Sequence, residues 1–146
     1  MTDRRRQQRT LRYAGAAALL AVGIDHLQQY FGALYSTIPT IGTLFALNFA
    51  GSVLVAAGLA APVERVFPRL RKPILGVLAA SGIGIALGSI VALLVSEQTP
   101  LFGFMESGYR QAIVVSLVLE VATVLLLGGF LVGLSAIPRA PRPASS

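Results

Sequence analysis

Four apolar runs, each about as long as a bilayer is thick, take up most of this chain, and only short polar segments separate them. A helix needs about 20 residues to cross the hydrocarbon core. The runs cover roughly 12–34, 41–61, 74–95 and 112–137, and no segment between them is long enough for a separate soluble domain. Composition agrees: at 146 residues, 55% hydrophobic and 12% charged, the chain lacks the polar surface that a domain of this size shows to water. The fold class this implies is an all-α membrane protein, an antiparallel four-helix transmembrane bundle over 13–137, preceded by a basic tail at 1–12 and followed by a disordered tail at 138–146.

The distribution of cations gives a direction. Of twelve Lys and Arg residues, five lie in the N-terminal tail (Arg4, Arg5, Arg6, Arg9, Arg12), four in the link 62–73 (Arg65, Arg69, Arg71, Lys72) and two in the C-terminal tail (Arg139, Arg142). Only Arg110 falls on the other side. Eleven share a side only if the spans number four, so the positive-inside rule puts both termini in the cytoplasm of a multi-pass cell-membrane protein. These cations flank apolar runs, so the net charge of +6 is read as membrane topology and not as a nucleic-acid footprint. The first run is read as a retained helix, because no small-x-small cleavage site closes it before Asp25. With no cysteine, disulfides and thiolate metal sites are excluded.

Polar residues inside the runs are the candidates for function, since an ionisable group in a membrane is costly unless it has a role or a partner. Span 1 carries Asp25 and His26, span 2 Asn48, span 3 Ser89, and span 4 Glu120, which shares one helix face with Ser116 and Thr123. Counted from the outer ends at about 1.5 Å per residue, His26, Asn48, Ser89 and Glu120 fall roughly 9 to 12 Å deep, in one layer. They form a candidate ligand or proton site, with Asp25 either beside it or reaching the headgroups. In the outer link 97–111, Phe102, Met105 and Tyr109 recur at spacings of three and four, which predicts a turn of interfacial helix serving as a lid or a lipid anchor. Gly76, Ala80, Gly84, Gly88 and Ala92 recur every four residues on span 3, a small-residue stripe expected to pack against a neighbouring helix or another chain.

No catalytic motif is present: there is no G-x-S-x-G, phosphate-binding loop, dinucleotide fingerprint or H-E-x-x-H. Haem is disfavoured because one histidine supplies one axial ligand and Met105 lies in a link. Other metals are disfavoured because Asp25, His26 and Glu120 lack ligand spacing. No other cofactor is indicated.

His26, Leu27 and Tyr30 followed by IPTIGTLFALN (38–48), then LFGFMESGY (101–109) and the later Glu120, give the chain a resemblance to a group of small, uncharacterised four-span bacterial integral membrane proteins. In outline it is also similar to DoxX-like four-span proteins. The resemblance spans most of 23–132 and implies a fold but no activity. Two functions are therefore expected to compete: a non-enzymatic accessory or interaction subunit, forming a homo-oligomer or joining a larger membrane complex, and a site for a small apolar ligand (quinone or lipid) or for proton transfer.

Overall fold

The computed structural model describes residues 2–105 and 111–136. It is helical: α1 (Thr2–Gly32), α2 (Pro39–Ala60), a single turn α3 (Val63–Val66), α4 (Arg71–Gln98) and α5 (Gln111–Ser135), with a short 3-10 turn, Tyr35–Thr37, between α1 and α2. Three of these helices, α2, α4 and α5, are long and apolar enough to cross a membrane. Their 22, 28 and 25 residues give lengths of about 33 Å or more, enough for a core of about 30 Å. α1 falls short of that apolarity. Its uninterrupted apolar run covers only 13–24, between Arg12 and Asp25.

The burial pattern accounts for this. Arg12, Gly15, Ala16, Leu19, Val22, Gly23, His26 and Gln29 are buried, at spacings of three and four, so the polar groups of α1 turn inward. Its outward face carries Tyr13, Leu20, Ile24 and Phe31. The other long helices likewise expose Leu54, Leu87, Val91, Val118, Leu125 and Val132 while burying Ser52, Glu120 and Thr123. An apolar exterior around polar interior groups is the pattern of a protein surrounded by lipid.

α1 packs against α2 and α5, and α4 packs against α5 and more loosely against α2. Late residues of α1 meet early residues of α2, so successive long helices alternate in direction. The core between them is built from Ala16, Leu59, Leu75, Ala79, Leu127 and Phe130.

Several expectations are corrected here. The basic segment 1–12 is not a separate tail: the helix begins at Thr2, and Arg12 is only 2% exposed. Its guanidinium donates to the carbonyls of Leu59 and Ala61 at the end of α2 and pairs with Glu64. The last carbonyls of a helix have no partner within it, so Arg12 is a cap supplied by a neighbouring helix. Burial pushes the Glu64 carboxyl up, but its own backbone amide and then Arg12 pull it further down, leaving it below its ordinary value of 4.5. A carboxyl depressed by folding contributes stability that is complete above its unfolded value and is lost as pH falls through the folded one. Acid titration of the detergent-solubilised protein is therefore expected to lower its melting temperature below about pH 4.5, and a Glu64→Gln variant is expected to lack that component.

The middle of the small-residue stripe on α4 does not pack within the chain. Ala80, Gly84 and Gly88 are exposed, and a Cβ placed on Gly84 or Gly88 would meet nothing within 4 Å. Only its ends, Gly76 and Ala92, are half-buried. Leu75, Ala79, Gly82 and Ala86 face inward instead. A Cβ on Gly82 would stand 2.7 Å from Leu127 and 3.0 Å from Leu19, so larger side chains on α1 and α5 fill the space that this glycine leaves. Close helix approach through a G-x-x-x-G pair occurs on α5, where Gly129 faces Leu11 and Gly133 accommodates Gln8 of α1.

Candidate functional site

In the half of the molecule where α1 ends and α2 begins, the four long helices line a partly open cavity of about 120 Å³. Its wall includes His26 and Gln29 from α1, Phe45 and Asn48 from α2, Ser89 and Ser96 from α4, and Ser116 and Glu120 from α5. The structure thus brings His26, Asn48, Ser89 and Glu120 together. Each sits on a different helix at a similar distance from the same end, which is the arrangement produced when long helices alternate in direction.

Two hydrogen-bond groups organise the wall. In one, Ser52 donates to the Asn48 carbonyl at 3.2 Å, and the Asn48 amide donates to the Ser89 hydroxyl at 2.6 Å. Ser89 and the Glu120 carboxyl line the same cavity. Glu120 Oε1 lies 3.9 Å from His26 Nε2, too far for a direct hydrogen bond. The opposite ring nitrogen, Nδ1, is 3.0 Å from the Val22 carbonyl. A carbonyl only accepts, so Nδ1 carries the hydrogen, and in the neutral ring Nε2 is left as an acceptor facing Glu120. Glu120 and His26 are 2% and 6% exposed, so both are shielded from bulk water.

In the second group, the Gln29 amide donates to Asp25 at 2.7 Å and to Ser116 at 2.9 Å, while the Ser116 hydroxyl donates to Asp25. Asp25 therefore reaches across to α5 and does not extend to the headgroups. Gln29, which was not among the candidate residues, is buried. Its position four residues after Asp25 and three after His26, on one face of α1, was the available signal.

Three aromatic rings border the cavity at this end of the molecule. Phe45 lies between His26 and Tyr35, with centroids at 5.0 and 4.7 Å, and Phe104 meets Tyr35 edge-on at 5.4 Å. The expected lid is corrected. Phe102 and Met105 are 64% and 55% exposed, and Leu101 and Phe104 line the cavity in their place. Residues 101–104 form a tight reversal, and the described residues 99–105 hold no interfacial helix. Leu101 and Phe104 exchange backbone hydrogen bonds of 2.7 and 2.9 Å around Phe102 (φ 52°) and Gly103 (φ 80°). Two consecutive positive φ values define a primed turn, which glycine makes accessible and which puts its flanking pair on one side. Tyr109, Glu106, Arg110 and the tail 138–146 lie outside the described residues.

Among the described residues no group of three His, Cys, Asp or Glu side chains has the arrangement of a metal site. The wall holds hydrogen-bond donors and acceptors, one carboxyl, one imidazole and an aromatic corner, a combination suited to orienting a small molecule or exchanging a proton. Comparison with protein-family models, with curated proteins and with solved structures finds no match to this chain.

Proposed function

We propose that this is a non-enzymatic four-span membrane protein with both termini in the cytoplasm, whose cavity in the outer half of the bundle holds a small ligand. The inward turn of Asp25, His26 and Gln29, set against the apolar outer face of α1, supports counting α1 as the fourth span. The single observation that carries the ligand reading is that polar groups from four helices, Glu120 among them, converge on one cavity beneath aromatic side chains. The volume of about 120 Å³ is near the roughly 150 Å³ that holds benzene in an engineered cavity, so the ligand is a ring-sized molecule or headgroup and not a whole lipid.

Replacing Glu120 by Gln preserves shape and most hydrogen bonding but removes the charge and the titratable proton. Native mass spectrometry of the purified protein is expected to detect a bound small molecule that is depleted at least about tenfold in Glu120→Gln, the scale of one charge-assisted hydrogen bond lost. Equal occupancy in the two proteins rejects the reading.

A second reading, an accessory subunit, is supported by the outward-facing Ala80, Gly84 and Gly88. Small residues that meet nothing in their own chain allow another helix to approach closely. Under this reading Gly84→Leu leaves the fold intact, because its side chain enters open space, yet abolishes co-purification of a partner or self-association in crosslinking. Unchanged assembly in that variant removes the accessory role.

A further inference from the structure

Two residues of the cavity wall face each other without bonding. His26 Nε2 and Glu120 Oε1 stand 3.9 Å apart, beyond hydrogen-bond length, and both residues line the cavity. Other polar side chains of the wall hold bonds within the protein: Asn48 donates to Ser89, Gln29 to Asp25 and Ser116, and Ser96 to the Leu93 carbonyl. His26 and Glu120 are therefore the pair placed to share a ligand atom. An oxygen bonded to both at about 2.8 Å would make an angle of about 90° between them, which the broad donor and acceptor directions of a hydroxyl allow.

The chemistry of the pair narrows what that atom can be. Nδ1 gives its hydrogen to the Val22 carbonyl, so in the neutral ring Nε2 only accepts. A carboxylic acid at Glu120 then donates, and the group between them must accept on one side and donate on the other. If the same proton stands on the imidazole instead, both bonds reverse and the demand is unchanged. A hydroxyl meets it in either form. An ether or ketone oxygen accepts only, and would leave one of the two buried groups without a partner.

The rest of the lining sets the body that carries the hydroxyl. Ile41, Leu44, Leu93 and Leu101 make this part of the wall apolar. The volume of about 120 Å³ holds the bulk of about one six-membered ring.

We infer that the cavity selects a small neutral molecule bearing a hydroxyl group on a single ring, with that hydroxyl bridging His26 Nε2 and Glu120. The inference rests on the ligand-site reading above and adds the functional group that is recognised.

The test uses the full chain in neutral detergent and two isomeric probes of closely matched bulk, meta-cresol and anisole. Both place an oxygen on a benzene ring, but only the cresol can donate. Affinities are read by ligand-observed NMR, and contact with the site by the nitrogen-15 signal of His26, the one histidine of the chain. Meta-cresol is expected to bind at least about tenfold more tightly than anisole, the scale of one hydrogen bond in a dry site, and to shift the Nε2 signal saturably. Glu120→Gln is expected to weaken meta-cresol by a similar factor. His26→Phe keeps a ring but removes the acceptor, so there meta-cresol is expected to fall to the affinity of anisole while anisole binds as before. If His26→Phe loses anisole as well, the Glu120→Gln comparison decides. Anisole binding that equals or exceeds that of meta-cresol, an Nε2 signal unmoved at saturation, or meta-cresol binding unchanged in either variant overturns the hydroxyl inference and leaves the ligand-site reading standing. Failure of both probes to bind overturns the two together.

Discussion

Arg12→Ala is expected to produce the largest single loss of stability in this protein. The guanidinium is buried and serves three acceptors at once: the Leu59 and Ala61 carbonyls, which end α2, and the Glu64 carboxylate. Glu64 is partly exposed, so the ion pair alone contributes modestly. The larger cost comes from the two helix-terminal carbonyls, which lose a charged donor at about 1.5–3 kcal/mol per hydrogen bond made to a charged group. Because the contacts share one side chain they do not sum, and a total of about 3 kcal/mol is the expected scale. Thermal unfolding in detergent checks it. Arg12→Lys is expected to recover only part of the loss, since an ammonium presents no planar fork to three acceptors spread over two directions. A melting temperature unchanged in Arg12→Ala would show that the cap is not formed.

Gly23→Leu is the second. Gly23 sits three residues before His26, where α1 approaches α2 closely. A Cβ there would stand 2.9 Å from the Ser52 Cβ and 3.4 Å from the Phe49 carbonyl oxygen. Backbone cannot swing aside as a flexible side chain does, so the helices must separate. Overpacking of this kind costs about 1–3 kcal/mol, and its effect reaches the site, because Ser52 supports Asn48 and Asn48 supports Ser89. The variant is expected to melt earlier and to lose ligand occupancy, whereas Gly84→Leu, whose side chain enters open space, loses neither. Equal behaviour of the two variants would contradict the α1–α2 contact.

Much of this fold could be read from the chain because bilayer crossing is a bulk property. Length and apolarity alone mark α2, α4 and α5, and counting residues from their ends was enough to bring Asn48, Ser89 and Glu120 to the level of His26. Rotation about each helix axis was less legible. Ser116, Glu120 and Thr123 declared their face because the rest of α5 is apolar. On α4 small residues occur on more than one face, and the bulk of Leu19 and Leu127 on other helices decides that Gly82 turns inward and Gly84 outward. Arg12 looked like the last of a run of cations, since nothing local distinguishes a residue that caps a helix end about 50 positions later. Asp25 and Ser116 stand 91 positions apart, so their contact exists only once α1 packs on α5. At Phe102 and Met105 the spacing imitated a helix, and Gly103, which permits the left-handed turn, reversed which residues face the cavity.

Solid-state NMR on the protein in lipid bilayers measures the central arrangement directly. The chain has one histidine, so a nitrogen-15 label in its imidazole is unambiguous, and the carboxyl carbon of Glu120 can be assigned by its disappearance in Glu120→Gln. A dipolar coupling between His26 Nε2 and that carbon, consistent with an oxygen 3.9 Å from the ring nitrogen, is the predicted result. Absence of the coupling, with the histidine in contact with acyl-chain protons instead, would show that these two groups do not share an interior cavity.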